Sequence, residues 1–552
     1  PNSFEFRSTT LSKRGSYDYT TGQSSSVDSD ITLSYAKTLA ETHQLYFGLN
    51  ISAAQSKQYS YNFIMRGYND RFDFLPNAVG YEENGKPSGS ESTTRRVGYT
   101  FNFNYTFKNR YYADFSFRMD GSSQFGSNKR FAPFWSSGIG WNVHNEEFMK
   151  NTGIVDQLQL RFSYGMTGSQ QFSSYQASTT YEYDVNDRYL DFTPAFLMGY
   201  GNENLKWQKT SMINAGLNFA LFKRSITGSL DYYKNVTDNL LSPRTLLAST
   251  GFSSFSDNIG KVQNTGLELM LSGYPIRTSS GFTWIITGKM SRNKNKILEL
   301  ADGVEKYQLG PNLDNMRVYA VVGGNYGEIW GSKFARVEDE SSPYYGQLIT
   351  TKEGRPTAKS GDIEKIGDQQ ATCLLGLTNT FSYKGWTLSF LVDARIGGEI
   401  FSATNHTMQK SGTAKITAPG GKRENIIVEG VYMDDNGNYT PNTTPITQQQ
   451  YWEAVTTSSG NLGIGEANLY DATNVRLRNL SLNYTFPKSM LAKTPFQQVK
   501  LGVSCNNVWM ISSHMRGVDP ESVFATYTNA TGFEAYSAPT SRTFLFNVTL
   551  GF

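Results

Sequence analysis

Two aromatic pairs, Tyr344 with Tyr345 and Tyr451 with Trp452, stand inside long polar stretches of a 552-residue sequence. A flat ring suits the apolar face of a sugar, so stacking on a saccharide is one chemistry open to them. Packing against their own loops, or against a protein covering those loops, is equally open. A second group is polar and periodic. Asn102, Asn104, Asp114, Arg118, Arg161, Asp231, Lys234, Asp393, Arg395, Arg476 and Arg478 occupy the polar positions of alternating runs. Together they offer hydrogen bonds to a solute or to a domain packed over them. For any single one, a structural contact is the simpler role.

No catalytic constellation accompanies them, and no enzyme activity is expected. GxSxG, Walker A and HExxH motifs are absent. Glu146-Glu147 follows Trp141 at what reads as a solvated turn. Asp434-Asp435-Asn436-Gly437-Asn438 resembles the start of a calcium loop, but Pro445 stands where the distal glutamate belongs. A hairpin turn built on Asn-Gly accounts for it. Cys373, Cys505 and the four histidines show no ligand spacing, so neither metal nor cofactor is expected. The two cysteines are open to a disulfide or to two free thiols.

The elements that must position these residues are strands. Tyr99, Phe101, Phe103, Tyr105 and Phe107 alternate with Thr100, Asn102, Asn104 and Thr106; after a short turn the pattern repeats from Tyr111 to Met119. Successive residues of a strand point to opposite faces, so one face is aromatic and the other polar. The same alternation recurs at 4–11, 31–39, 45–53, 135–143, 158–166, 212–221, 226–236, 262–271, 282–290, 375–381, 386–396, 475–486, 499–509 and 543–552. That makes about sixteen strands of the ~10-residue length that crosses an outer membrane. Short turns, as at 107–110, alternate with long polar connections at 67–94, 167–205, 237–260, 300–372, 402–472 and 512–540. The layout predicts an all-β fold, a transmembrane up-and-down antiparallel barrel with every long connection on one side.

Composition agrees. Aromatic residues make up 14% of the chain and charged residues 18%, while mean hydropathy is only -0.46. No stretch approaches the roughly 18 consecutive apolar residues of a membrane helix. A net charge of +3 gives no basic field for a nucleic acid. Pro1-Asn2-Ser3 leads directly into the strand-like Phe4-Glu5-Phe6-Arg7, so the chain is expected to start within a barrel. Phe544, Phe546, Val548, Leu550 and Phe552 form a last alternating strand. Its aromatic end looks like the signal by which assembly machinery recognises outer-membrane barrels.

Longer motifs resemble the SusC/RagA family of TonB-dependent transporters of Bacteroidetes. Asp120 to Gly126 (DGSSQFG) resembles the family's DGSSxFG segment, and 158–168, 202–241, 258–269, 291–300, 322–334, 376–401 and 470–487 follow in the family's order. The resemblance implies active import of oligosaccharides, or of oligopeptides, across the bacterial outer membrane. It implies a SusD-like lipoprotein over the loops, a two-plus-two (SusC2D2) assembly, and energy from TonB delivered through an N-terminal region. Family members also carry an N-terminal extension, a TonB box, a plug and a barrel of about 22 strands. Residues 1–552 are accordingly expected to be the C-terminal portion of one barrel domain, working with the remaining N-terminal part. The alternative is a SusC-like barrel serving as a structural subunit without import. A passive porin fits the barrel but not the motifs.

Overall fold

The computed structural model describes residues 15–68, 80–81, 87–150, 152–170, 174–183, 190, 192–252, 254–301, 303–515 and 517–552. The strand expected at Phe4–Leu11 lies outside them. Each of the other fifteen expected strands is present in the main sheet, in chain order. They are β1 (Gly15–Leu39), β2 (His43–Tyr68), β3 (Ser88–Phe107), β4 (Tyr111–Ser122), β5 (Phe131–Asn142), β6 (Val155–Ser169), β7 (Gln208–Leu221) and β8 (Ile226–Asp238). The series continues with β9 (Lys261–Arg277), β10 (Thr283–Glu299), β11 (Cys373–Tyr383), β12 (Trp386–Ile396), β13 (Asn474–Thr485), β14 (Gln498–Ser513) and β15 (Thr543–Gly551). The chain divides into two compact units, Pro1–Ile139 with Ser163–Ser211 and Thr237–Ile259, and Gly140–Phe162 with Met212–Val236 and Gly260–Phe552.

In the first unit the registers of β1 to β4 set Tyr35, Phe47, Phe103 and Phe115 in one row and Leu33, Leu49, Phe101 and Phe117 in the next. Phe47 and Phe103 meet with ring centroids 5.0 Å apart. A slip of one residue would send every ring to the polar face, so the pattern itself fixes the register. Ile31, Leu33, Leu49 and Ile51 are half or more exposed. Such a belt is a poor surface in water and a good one against acyl chains. β1 and β2 run 25 and 26 residues, far beyond the ~10 that cross the apolar layer. The long connection expected at 67–94 is thus partly paired strand: Gly67 and Tyr68 end β2, and residues 88–94 begin β3.

The short turns solve a chirality problem. Ala40 with Glu41, and Lys108 with Asn109, adopt positive φ of 47° to 56°, and each turn closes with an i to i+3 backbone bond. Paired left-handed residues give the turn the same twist as the strands, which offsets the roughly 1–2 kcal/mol per residue they cost.

In the second unit the long connections are not bare loops. Residues 306–308, 317–321, 326–331 and 364–368 form a four-stranded sheet. Two helices follow, α1 (Ala403–Lys410) and α2 (Gln448–Thr457). Met316, Val318, Ile329, Val337, Phe401 and Ile464 are almost fully buried among these segments.

Candidate functional site

The polar strand residues are joined into networks. On β12 and β13 the key is a β-bulge: Leu391 pairs with Asn479 and Val392 with Leu477, which leaves Arg478 without a ladder partner. A bulge re-aims its side chain. Arg478 Nε donates to Asp393 Oδ2 at 2.8 Å, and Nη1 donates to Asn507 Oδ1 at 3.1 Å and Glu521 Oε2 at 2.9 Å. Arg476 is buried and donates to Asn474 Oδ1 (3.0 Å), Thr540 Oγ1 (3.3 Å) and both oxygens of Asp519. Although burial opposes it, the Arg476 guanidinium and the Thr540 hydroxyl hold the Asp519 carboxyl well below the usual range. Glu521 is also held low, first by its bonds from Arg478. Arg395 makes no hydrogen bond to this cluster among the described residues, although it interacts with the Glu521 charge; its Nη2 donates to the carbonyl of Gln369 at 2.5 Å.

A second network crosses four strands. Gln159 of β6 donates to Asn142 of β5, Asn218 of β7 donates to Gln159, and Arg161 of β6 pairs with Asp231 of β8. Gly216 leaves room for this pair: a Cβ on it would lie 2.5 Å from Asp231 Oδ1 and would push the side chains aside. Lys234, on β8, joins none of these bonds. In the first unit Arg118 Nε binds both oxygens of Asp120, at 2.7 and 2.8 Å, and Ser116 donates to Asn102. Asn104 is exposed and faces Asp114 across the β3–β4 ladder. Gly138 leaves room for that aspartate; a Cβ would sit 2.6 Å from Asp114 Oδ1.

The four loop aromatics do not gather into one site. Tyr344 and Tyr345 lie in the tight turn 342–347, with Tyr345 more than half exposed. Tyr451 and Trp452 lie on α2 and meet edge-to-face, 5.0 Å between centroids. Tyr451 is turned inward, and burial pushes its phenol above the ordinary value. Trp452 lies on the wall of a cavity of about 470 Å³ with Gln409, Lys410, Arg423, Gln448 and Glu453. α2 starts at a capping box, in which Thr447 Oγ1 accepts from the Gln450 amide and the Gln450 side chain accepts from the Thr447 amide. That fixes Trp452 one turn inside the helix, where its Nε1 donates to Gln448 Oε1 at 3.3 Å.

The facing wall comes from α1. Ser402 caps its start and also donates to Glu534 at 2.6 Å, a buried carboxylate that takes a second bond from Thr404. Its end is a Schellman turn: Thr413 N donates to Met408 O and Gly412 N to Gln409 O, with Gly412 at φ 69°. Buried His406 donates from Nε2 to the Thr456 carbonyl of α2 at 3.0 Å, locking the two helices together. Burial holds it below its ordinary value, and so neutral. Gln409 is almost fully buried, and its Oε1 has no partner among the described residues.

Two expectations need correction. Glu146 is not in a solvated turn; it is buried and accepts the Trp141 indole N–H at 3.1 Å. The connections at 300–372 and 402–472 contain a sheet and helices, because their hydrophobic residues bury one another. Sequence reading also missed Gln409, Gln448, Asp519 and Glu521, although Thr447-Gln448-Gln449-Gln450 is a legible capping box. The Asp434–Asn438 turn is a hairpin as expected, with Gly437 at φ 80° between short paired strands. Cys373 and Cys505 are both free thiols. Phe544, Phe546, Val548 and Leu550 lie exposed along β15, and Phe552 lies exposed just past its end.

The family model described as TonB dependent receptor-like, beta-barrel, matches residues 2–397. TonB-dependent receptor P3 of Formosa agariphila is 31% identical over 512 residues, covering 87% of this chain and 48% of that protein. TonB-dependent receptor SusC of Bacteroides thetaiotaomicron is 28% identical over 477 residues, covering 83% of this chain and 44% of that protein. Among solved structures, the RagAB peptide transporter superposes with a TM-score of 0.76 at 20% identity, covering 97% of this chain and 56% of that one. The chain thus spans about half the length of the curated relatives it matches. By the family match it belongs to the TonB-dependent receptor-like β-barrels, and its strands are those of an outer-membrane barrel of SusC/RagA type.

Proposed function

We propose that this chain is the C-terminal barrel portion of a TonB-dependent importer of oligosaccharides, working with a SusD-like surface lipoprotein and with the N-terminal part of the same transporter. The observation that carries the saccharide reading is the Trp452 cavity. An indole with one buried amide beside it on α2 and another facing it from α1 offers a ring face and directional hydrogen bonds together, as a sugar requires. The likeness to SusC supports the lipoprotein partner and the dependence on TonB. The folded loop segments around α1 and α2 give such a partner an ordered surface to cover.

Oligopeptide import is the second reading, and the likeness to the RagAB peptide transporter favours it. Growth on purified oligosaccharides and on peptides as sole nutrient separates the two. Deleting TonB or the SusD-like protein should abolish growth on the saccharide alone. Growth on that saccharide unchanged by loss of TonB would refute import.

A further inference from the structure

The walls of the Trp452 cavity carry a charge that a neutral sugar does not need. From Ala403 to Arg423 the chain has Lys410, Lys415, Lys422 and Arg423 and no acidic residue. Lys410 and Arg423 line the cavity itself, against the single carboxylate of Glu453. Lys410 lies in the last turn of α1, where a cation also complements the helix dipole. That explanation does not extend to Arg423, which comes from beyond the helix. Arg423 Nη2 donates to the Gly412 carbonyl at 2.8 Å, so its guanidinium is held to the Schellman turn at the edge of the cavity. Four further N–H groups stay available on it. Among the described residues neither Lys410 nor Arg423 is in an ion pair.

Two amides complete the site. Gln448 and Gln409 are both more than nine-tenths buried. Gln448 accepts the Trp452 indole N–H, and Gln409 Oε1, on the facing wall, is an unmet acceptor. Gln409 also borders a second cavity of about 700 Å³, lined by Met408, Lys415, Ile416, Tyr470 and His514. Both cavities thus combine a ring, a shared amide and a free lysine.

We propose that the Trp452 cavity is a subsite for an acidic sugar residue, carboxylated or sulfated. Trp452 stacks on the ring, Arg423 and Lys410 bind the anionic substituent, and Gln409 and Gln448 bind hydroxyl groups. This rests on the saccharide reading above and narrows it. A planar guanidinium accepts a carboxylate or a sulfate ester in the same forked geometry, so the two sources share one chemistry.

The test is titration calorimetry on the purified full-length transporter. The probes are an oligogalacturonide (carboxylated), a carrageenan oligosaccharide (sulfated), a neutral cello-oligosaccharide of equal length and an oligoglutamate peptide. At least one acidic saccharide should bind about tenfold or more tightly than the neutral one, weakening as salt is raised. R423Q and K410Q should each erase most of that preference, and W452A should remove saccharide binding altogether. Which acidic probe binds identifies the substituent. Equal binding of neutral and acidic saccharides, or a preference unmoved by R423Q and K410Q, overturns the acidic subsite while leaving the saccharide reading standing. Binding of the peptide and of no saccharide overturns both. Far-ultraviolet circular dichroism of each variant separates lost binding from lost fold.

Discussion

Arg476 and Asp519 form an ion pair with both side chains less than a tenth exposed, tying β13 to the long connection that follows β14. Asp519 adds bonds from the backbone and hydroxyl of Thr540. A buried guanidinium that loses its partner is left uncompensated, which costs about 3 kcal/mol or more. Glu521 lies 3.4 Å from Arg476 Nη1 and is positioned to take over part of the charge. Asp519→Asn should therefore loosen residues 517–540 only moderately, and Asp519→Asn with Glu521→Gln by more than the sum of the two. Amide hydrogen exchange across that segment reads the difference; additive losses would show that the two carboxylates act separately.

The same pair gives the segment a pH dependence. Asp519 and Glu521 are both held below their unfolded values, about 3.9 and 4.3. A carboxylate whose folded pKa is depressed stabilises fully above its unfolded pKa and loses that contribution as pH falls through its folded one. Protection of residues 517–540 should be flat above about pH 5.5 and decline below about pH 4.5. The decline should be smaller in Asp519→Asn. A wild-type segment whose protection is unchanged down to pH 3 would refute the assignment.

These residues also mark how far the sequence could be read. The strands were legible because a two-residue period is a local signal, and it holds over most of their length, bulges apart. The β13 bulge was visible in outline: Arg476 and Arg478 are even-numbered and polar-facing, yet Leu480 and Leu482 are even-numbered and lie on the apolar side. Alternation has to lose a step between them. What the bulge aims at was not legible, since Asp519 and Glu521 come from a connection 43 residues away that has no period of its own. The turn conformations were hidden for another reason. Ala40 and Glu41 carry no preference for positive φ and adopt it because two long paired strands demand it.

In the first unit, Phe125 stacks on Trp207 at 4.1 Å, and Phe134 meets the same indole edge-on. Trp207 Nε1 donates to the Arg130 carbonyl, and Gly126 N donates to Leu205 O. The DGSSQFG and NENLKW motifs are thus two halves of one clasp. A Cβ at Gly126 would lie 1.8 Å from the Glu203 carbonyl oxygen, a backbone atom that cannot swing aside. Gly126→Ala should open the clasp, and Trp207→Ala should cost about 3–5 kcal/mol locally. Limited proteolysis of the folded barrel should then cut within 163–211 in both variants. Resistance equal to wild type would mean the clasp bears no load.

The Thr447 capping box sets where Trp452 points. Thr447→Ala removes the Oγ1 acceptor of the Gln450 amide while leaving the Thr447 backbone N–H on the Gln450 side chain, and should cost about 1 kcal/mol at the start of α2. Hydrogen exchange should rise in residues 447–452 and stay unchanged in α1, whose caps are separate. Equal loosening of both helices would mean that the His406 bond to Thr456 couples them more strongly than the cap itself.

The lipid-facing assignment is tested most directly at the middle of β15. Phe546 is 78% exposed and faces Val503, itself nearly half exposed, while the next residue, Asn547, faces Gly502. If the aromatic face lies against acyl chains, Phe546→Arg places a cation in the apolar layer at a cost of about 2–4 kcal/mol. Asn547→Arg points to the polar side and should cost far less. Both substitutions add the same charge to the same strand one residue apart, so net charge cancels in the comparison. Urea unfolding of the full-length transporter in lipid vesicles, followed by heat-modifiable migration, measures the two midpoints. A Phe546→Arg midpoint at or above that of Asn547→Arg would reverse the two faces of β15, and the fixed register would carry that reversal to β14.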